Sequence, residues 1–127
     1  MSTMIQVTEP TMVLNEEVCK SNIARMAAKA KAANVVFRPH FKTHQSREIG
    51  EWFRASGVDK ITVSLLNMAM KFAEWGWNDI TVAFPVNCLE HEKINALAAK
   101  IRLNLLLVHS EGARQLSECL KYPVGVY

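Results

Sequence analysis

The chain has 127 residues and a mass of 14.3 kDa, room for one domain of ordinary size. Hydrophobic residues make up 50% and charged residues 21%, which excludes a disordered tail, while 5 Gly and 4 Pro are too few for a fibrous chain. The net charge of +3 is uneven: Lys20 to Arg47 holds seven bases and no acid, whereas residues 64–127 hold six of each.

In chain order, Met1-Ser2-Thr3-Met4 has neither the basic nor the apolar stretch of a signal peptide. A first helix is predicted from Glu16 to Ala33, capped by Asn15, with Cys19, Ile23, Met26, Ala30 and Ala33 on one face. Val35-Val36-Phe37 reads as a strand closed by Arg38-Pro39, followed by a helix over Gln45 to Ala55 and an exit at Gly57. Ile61-Thr62-Val63 is strand-like, and Asn67 is expected to cap a helix that runs through Trp75 to Gly76. Ile80 to Phe84 is β-rich, Leu89 to Ile101 is helical, and Leu103 to Val108 is a nearly continuous apolar strand. Ser110 is expected to cap a helix carrying Leu116, Cys119 and Leu120, which Pro123 breaks before the apolar run Val124 to Tyr127.

Candidate strands thus start near residues 35, 61, 79, 103 and 124, each interval holding one strand and one helix. That alternation implies βαβ units and a parallel sheet, and the apolar strands suggest burial on both faces. A doubly wound five-stranded sheet and the first half of a (β/α)8 TIM-type barrel both fit. The leading helix, and an end at Val124-Gly125-Val126-Tyr127 inside a strand-like run, favour the half barrel. No apolar run approaches the ~20 residues that cross a bilayer. Cys19, Cys88 and Cys119 form no CxxC pair. A cytoplasmic protein with reduced thiols and no membrane contact is expected.

The densest polar cluster, Arg38-Pro39-His40-Phe41-Lys42-Thr43-His44, falls at the carboxyl end of the first candidate strand, the edge where parallel α/β folds bind ligands. Lys42 is the focal residue. Pointing into a barrel mouth, it would be desolvated and its pKa lowered, leaving an amine able to attack a carbonyl; otherwise it is a surface lysine. His40 and His44 lie four apart, metal spacing only on a helix, and no acid in the same stretch supplies a third ligand. His109, Asn67 and Asn87 also follow candidate strands, the asparagines as caps, and His91 reads as a solvated helix position. GxGxxG, GxxxxGK[ST] and GxSxG are all absent.

Thr8-Glu9-Pro10-Thr11-Met12-Val13-Leu14, a helix containing Asn22-Ile23-Ala24-Arg25-Met26, and the Arg38–His44 segment together resemble the start of the D-threonine aldolase and D-serine dehydratase family. The barrel of that family is similar to the N-terminal barrel of alanine racemase. Ile61-Thr62-Val63 and Asp79-Ile80-Thr81-Val82-Ala83 resemble its second and third strands, while Glu9 after Thr8 departs from its usual Thr-Pro. The resemblance implies pyridoxal 5'-phosphate, carried by Lys42 as an internal aldimine. It makes His40 and His44 candidates for positioning or proton transfer. Arg38 becomes the partner of an anionic group of cofactor or substrate, or of a structural salt bridge. The substrate implied is a D-3-hydroxy amino acid, cleaved at Cα–Cβ by an aldolase or stripped of its β-hydroxyl by a dehydratase; a racemase of the same barrel type is the alternative.

In the family, later barrel loops hold the phosphate and a β-domain carries the divalent-metal ligands of the lyases. Residues 1–127 are therefore expected to be the N-terminal part of such a barrel, with no metal ligands of their own, inactive alone, and prone to form a homo-oligomer through open sheet edges. No nucleic-acid partner is expected on this reading. The rival is a non-enzymatic anion or nucleic-acid binding module built on the basic residues 20–47.

Overall fold

A computed structural model describes residues 6–127. Helix α1 spans Glu16–Ala32; the Asn15 side chain accepts the Val18 N–H, and Glu16 and Glu17 occupy the first turn, where the helix dipole favours acids. Only Ile23 of the predicted face is buried, and Met26 is 44% exposed. The reason is local: α1 packs chiefly on α2 (Arg47–Ala55), so little of its apolar stripe meets a partner.

Four parallel strands follow in sequence order, β1 (Ile61–Val63), β2 (Asp79–Pro85), β3 (Arg102–Leu106) and β4 (Gly125–Val126). Between them lie α3 (Leu66–Glu74), α4 (His91–Ala98) and α5 (Ser110–Cys119). This is the α/β alternation expected of a half barrel. The strand predicted at Val35-Val36-Phe37 does not form; Val35 and Val36 are exposed. Pairing starts later, with a bridge between His40 and Thr62 and the Thr62 N–H donated to Pro39 O at 2.8 Å. Pro39 has no N–H to continue a ladder, which keeps this edge to a single bridge.

Burial on both faces is also corrected. Register pairs Ile61 with Ile80 and Leu103, and Val63 with Val82 and Leu105, on the helix-covered side, where all are buried. Thr62, Thr81 and Asn104 alternate with them and line the opposite side, a recess of about 570 Å³. The strands therefore have period two, one face for the core and one polar.

Caps explain the remaining shifts. Asn67 lies inside α3 and accepts from Lys93 Nζ at 3.1 Å, while Leu65 precedes that helix without a side-chain cap. Asn87 caps a short 3-10 turn, Cys88–Glu90, which replaces the first turn of the predicted fourth helix. His109, not Ser110, caps α5 by accepting the Gly112 N–H at 2.8 Å.

A candidate active site at the carboxyl edge of the sheet

After the His40 bridge the chain leaves the sheet in a 3-10 turn, Phe41–Thr43, placed at the carboxyl edge beside β1. Phe41 holds that turn. Its side chain is fully buried, 5.1 Å from the rings of Phe53 and Phe72 and 5.2 Å edge-on to Trp77. Burying a phenylalanine contributes about 1.5–3 kcal/mol, and the aromatic contacts add to it. The next residue must then face away from the core, and Lys42 is exposed. The desolvated barrel mouth expected for Lys42 is not found, because the polar face of the four-stranded sheet is open. Lys42 nonetheless sits in the turn that follows the His40 bridge, and no carboxylate pairs with its amine among the described residues.

The histidines flanking Lys42 have different settings. His40 is half-buried, and its Nδ1 accepts the Lys42 backbone N–H at 3.3 Å. Burial, and then the Lys42 charge, hold its pKa below the ordinary histidine value. His44 turns inward instead: Nδ1 accepts the Ser46 N–H at 3.0 Å, and burial lowers its pKa as well. Its ring packs on Phe41 and Phe53, so it does not share the rim with Lys42.

Arg38 is engaged elsewhere. Its guanidinium reaches Asp79 Oδ1 at 2.7 Å and the carbonyls of Ile61 and Asp79 at 3.3 and 3.4 Å. Asp79 Oδ1 also takes Asn104 Nδ2 at 3.2 Å, and the same Nδ2 lies 3.2 Å from Thr81 Oγ1. Of the two roles open to Arg38, the structure shows the salt bridge. Sequence reasoning missed this network across the polar face. The signal was present as polar residues at alternate positions, Asp79 and Thr81 in one strand and Arg102 and Asn104 in the next.

The other candidates stand apart. His109 is spent as a helix cap. With Asn87 and Cys88 it lines a separate recess of about 200 Å³ at the carboxyl edge. No three His, Cys, Asp or Glu side chains converge to hold a metal among the described residues, and no described helix is long and apolar enough to cross a membrane. Two of the seven bases of residues 20–47 are engaged apart from one another: Lys20 pairs with Glu16 over the Trp52 ring, and Arg38 is tied to Asp79 on the polar face of the sheet.

Parallel strands alternating with helices define an α/β half barrel, and the Lys42 turn lies beside the carboxyl edge of its sheet, where such barrels keep their sites. No family model matches the chain. It is 35% identical over 100 residues to the D-threo-3-hydroxyaspartate dehydratase of Delftia sp. (strain HT23), across 79% of this chain and 26% of that protein. The solved structure of the Delftia sp. HT23 enzyme superposes with a TM-score of 0.81 at 27% identity, over 89% of this chain and 31% of that one. The crystal structure of D-threonine aldolase from Filomicrobium marinum gives 0.81 at 24% identity, over 90% and 32%. An alanine racemase-like protein from Idiomarina loihiensis gives 0.75 at 24%, over 87% and 31%. The last two show the fold. The chain is similar to members of the D-threonine aldolase/dehydratase-like family, and its fold matches the N-terminal half of an alanine racemase-like barrel. It spans about a quarter to a third of the length of these relatives.

Proposed function

We propose that residues 1–127 are the N-terminal part of a pyridoxal 5'-phosphate-dependent lyase acting on D-3-hydroxy amino acids, with Lys42 as the residue that holds the cofactor. The observation that carries this is the Lys42 amine: exposed, at the carboxyl edge of a parallel sheet, without an acidic partner among the described residues, in a chain related to a hydroxyaspartate dehydratase. The donor set suits the cofactor. A primary amine is the group that condenses with an aldehyde, and no acid lies between Lys20 and Arg47 to pair with it. When bound, the cofactor supplies an electron sink for the substrate's Cα.

The chain's own residues do the following. Lys42 would offer the amine that holds the cofactor. His40, whose pKa burial and then the Lys42 charge hold below the ordinary histidine value, accepts the Lys42 backbone N–H at Nδ1, so the proton of its neutral ring sits on Nε2. It orients the lysine backbone and presents a donor at the same edge. Arg38 pairs with Asp79 on the polar face of the sheet. The 127 residues alone turn over no substrate: the polar face is open and water reaches the amine. The divalent metal that the family resemblance implies would find no set of three His, Cys, Asp or Glu ligands among the described residues.

Incubation with pyridoxal 5'-phosphate, borohydride reduction and peptide mapping test the assignment. The expected result is a label concentrated on Lys42. A label shared evenly among Lys20, Lys29, Lys31 and Lys42 would overturn it.

A further inference from the structure

The two histidines that bracket Lys42 use the same atom in the same way. Nδ1 of His40 accepts the Lys42 N–H at 3.3 Å, and Nδ1 of His44 accepts the Ser46 N–H at 3.0 Å, each two residues further along. Their rings, however, go to different places. That of His44 lies 4.4 Å from Phe41, 6.4 Å edge-on to Phe72, and 5.9 Å from Phe53 at an interplanar angle of 18°. With Nδ1 accepting, the proton of the neutral ring sits on Nε2. That nitrogen is buried and has no hydrogen-bond partner among the described residues.

An apolar ring would fill this cage without a buried, unpartnered ring nitrogen, so packing alone disfavours a histidine here. What an apolar side chain lacks is the acceptor for Ser46. The bond spans Gln45, whose φ of 46° lies in the left-handed region that side chains rarely adopt. Gln45 is tied from both ends: its N–H reaches Phe41 O at 3.0 Å, and its side-chain amide reaches Lys42 O at 3.4 Å. Ser46 in turn caps α2 through Oγ to the Ile49 N–H at 3.2 Å. The turn bearing Lys42 is thus pinned by Phe41 on one side and by the His44–Ser46 bond on the other.

We infer that His44 is a positioning residue: its ring, held among Phe41, Phe53 and Phe72, fixes the strained turn to the start of α2 and so sets the direction in which the Lys42 amine leaves the sheet edge. It touches neither cofactor nor substrate. The inference rests on Lys42 as the cofactor lysine and adds the residue that aims it.

Two substitutions separate the functions of the ring. His44→Asn keeps an acceptor near the Nδ1 position and loses the ring; His44→Phe keeps the ring and loses the acceptor, and His44→Leu replaces it should phenylalanine be too large. Each variant is labelled with pyridoxal 5'-phosphate and borohydride, and its Tm is measured. His44→Phe is expected to label Lys42 about tenfold more slowly, since small misplacements of a reacting group are that costly, with a Tm at or above that of the parent. His44→Asn is expected to label within about twofold of the parent rate despite a lower Tm, because the hydrogen bond rather than the ring is what aims the lysine. Labelling and stability then move in opposite directions, which a purely structural residue would not produce. Parent-like labelling of His44→Phe, or His44→Asn as slow as His44→Phe, would overturn the inference. A parent chain that takes no label at Lys42 overturns the cofactor assignment instead. In that event the 13C signal of reductively methylated Lys42 decides the role of His44. A signal distinct in the parent and His44→Asn but merged with the other exposed lysines in His44→Phe supports it; a signal unchanged in His44→Phe refutes it.

Discussion

Arg38 and Lys42 leave one short segment with opposite fates. The Arg38 guanidinium, with 25% of its side chain exposed, lies over the polar face of the sheet and is neutralised by Asp79. Lys42, past the last strand pairing, is exposed and has no carboxylate partner among the described residues. The difference is one of position along a strand. At the amino side of a parallel sheet, neighbouring strands supply carbonyls and an acid at register distance. At the carboxyl edge the strands end, and a charge meets water or a ligand. The contrast teaches that a basic cluster in sequence need not be a basic patch in space.

Removing the amine should have the largest effect on chemistry. Lys42→Ala is expected to abolish the borohydride-fixed label at that position, read by peptide mass, while leaving stability within about 0.5 kcal/mol, as for an exposed side chain. An equal yield of label at another lysine would erase the contrast with Arg38. Phe41→Ala should have the largest effect on stability, a loss of about 3–5 kcal/mol by denaturant unfolding, because it empties the aromatic cluster under the Lys42 turn. Arg38→Met should cost about 1–3 kcal/mol, because it leaves the 14%-exposed Asp79 carboxylate partly unpaired. The Lys42 labelling rate should stay within about twofold, being independent of that pair. Normal stability with lost labelling would move Arg38 into the site.

The smallest effect is that of pH. His40 and His44 both have pKa values below that of an unfolded histidine, about 6.5, mainly through burial. The unfolded chain then binds more protons than the folded one just below pH 6.5. Their contribution to stability is therefore complete above that value and is lost as pH falls through it toward the folded pKa values. Thermal melts of the parent should show this decline, and His44→Asn should show less of it. A stability that rises on acidification from pH 7 to 5.5 would contradict the burial of both rings.

Much of the architecture was legible from local pattern. The strands at Ile61, near Ile80 and at Leu103 announce themselves by β-branched and aliphatic runs, and the exits at Gly57 and Gly76 by the glycine that a positive φ requires, 84° and 86° here. Asn15 and the acids after it mark the start of α1. Other features were not legible in that way. Lys42 follows a single bridge at His40, not the strand expected before it. Val35-Val36-Phe37 has strand composition but gains no partner, because pairing waits until His40. Asn67 looks like a cap yet bonds Lys93, and His109 looks like a free rim residue yet caps α5.

From the amino acids alone came the alternation of elements, the family resemblance and the lysine, since each rests on residue types and spacings along the chain. Tertiary structure decided the partners: Asp79 for Arg38, an aromatic cage for His44, solvent for Lys42. The physical reason is that a side chain's charge state and direction depend on what lies within a few ångströms of it. At these positions the partners come from other elements, up to 41 residues away along the chain.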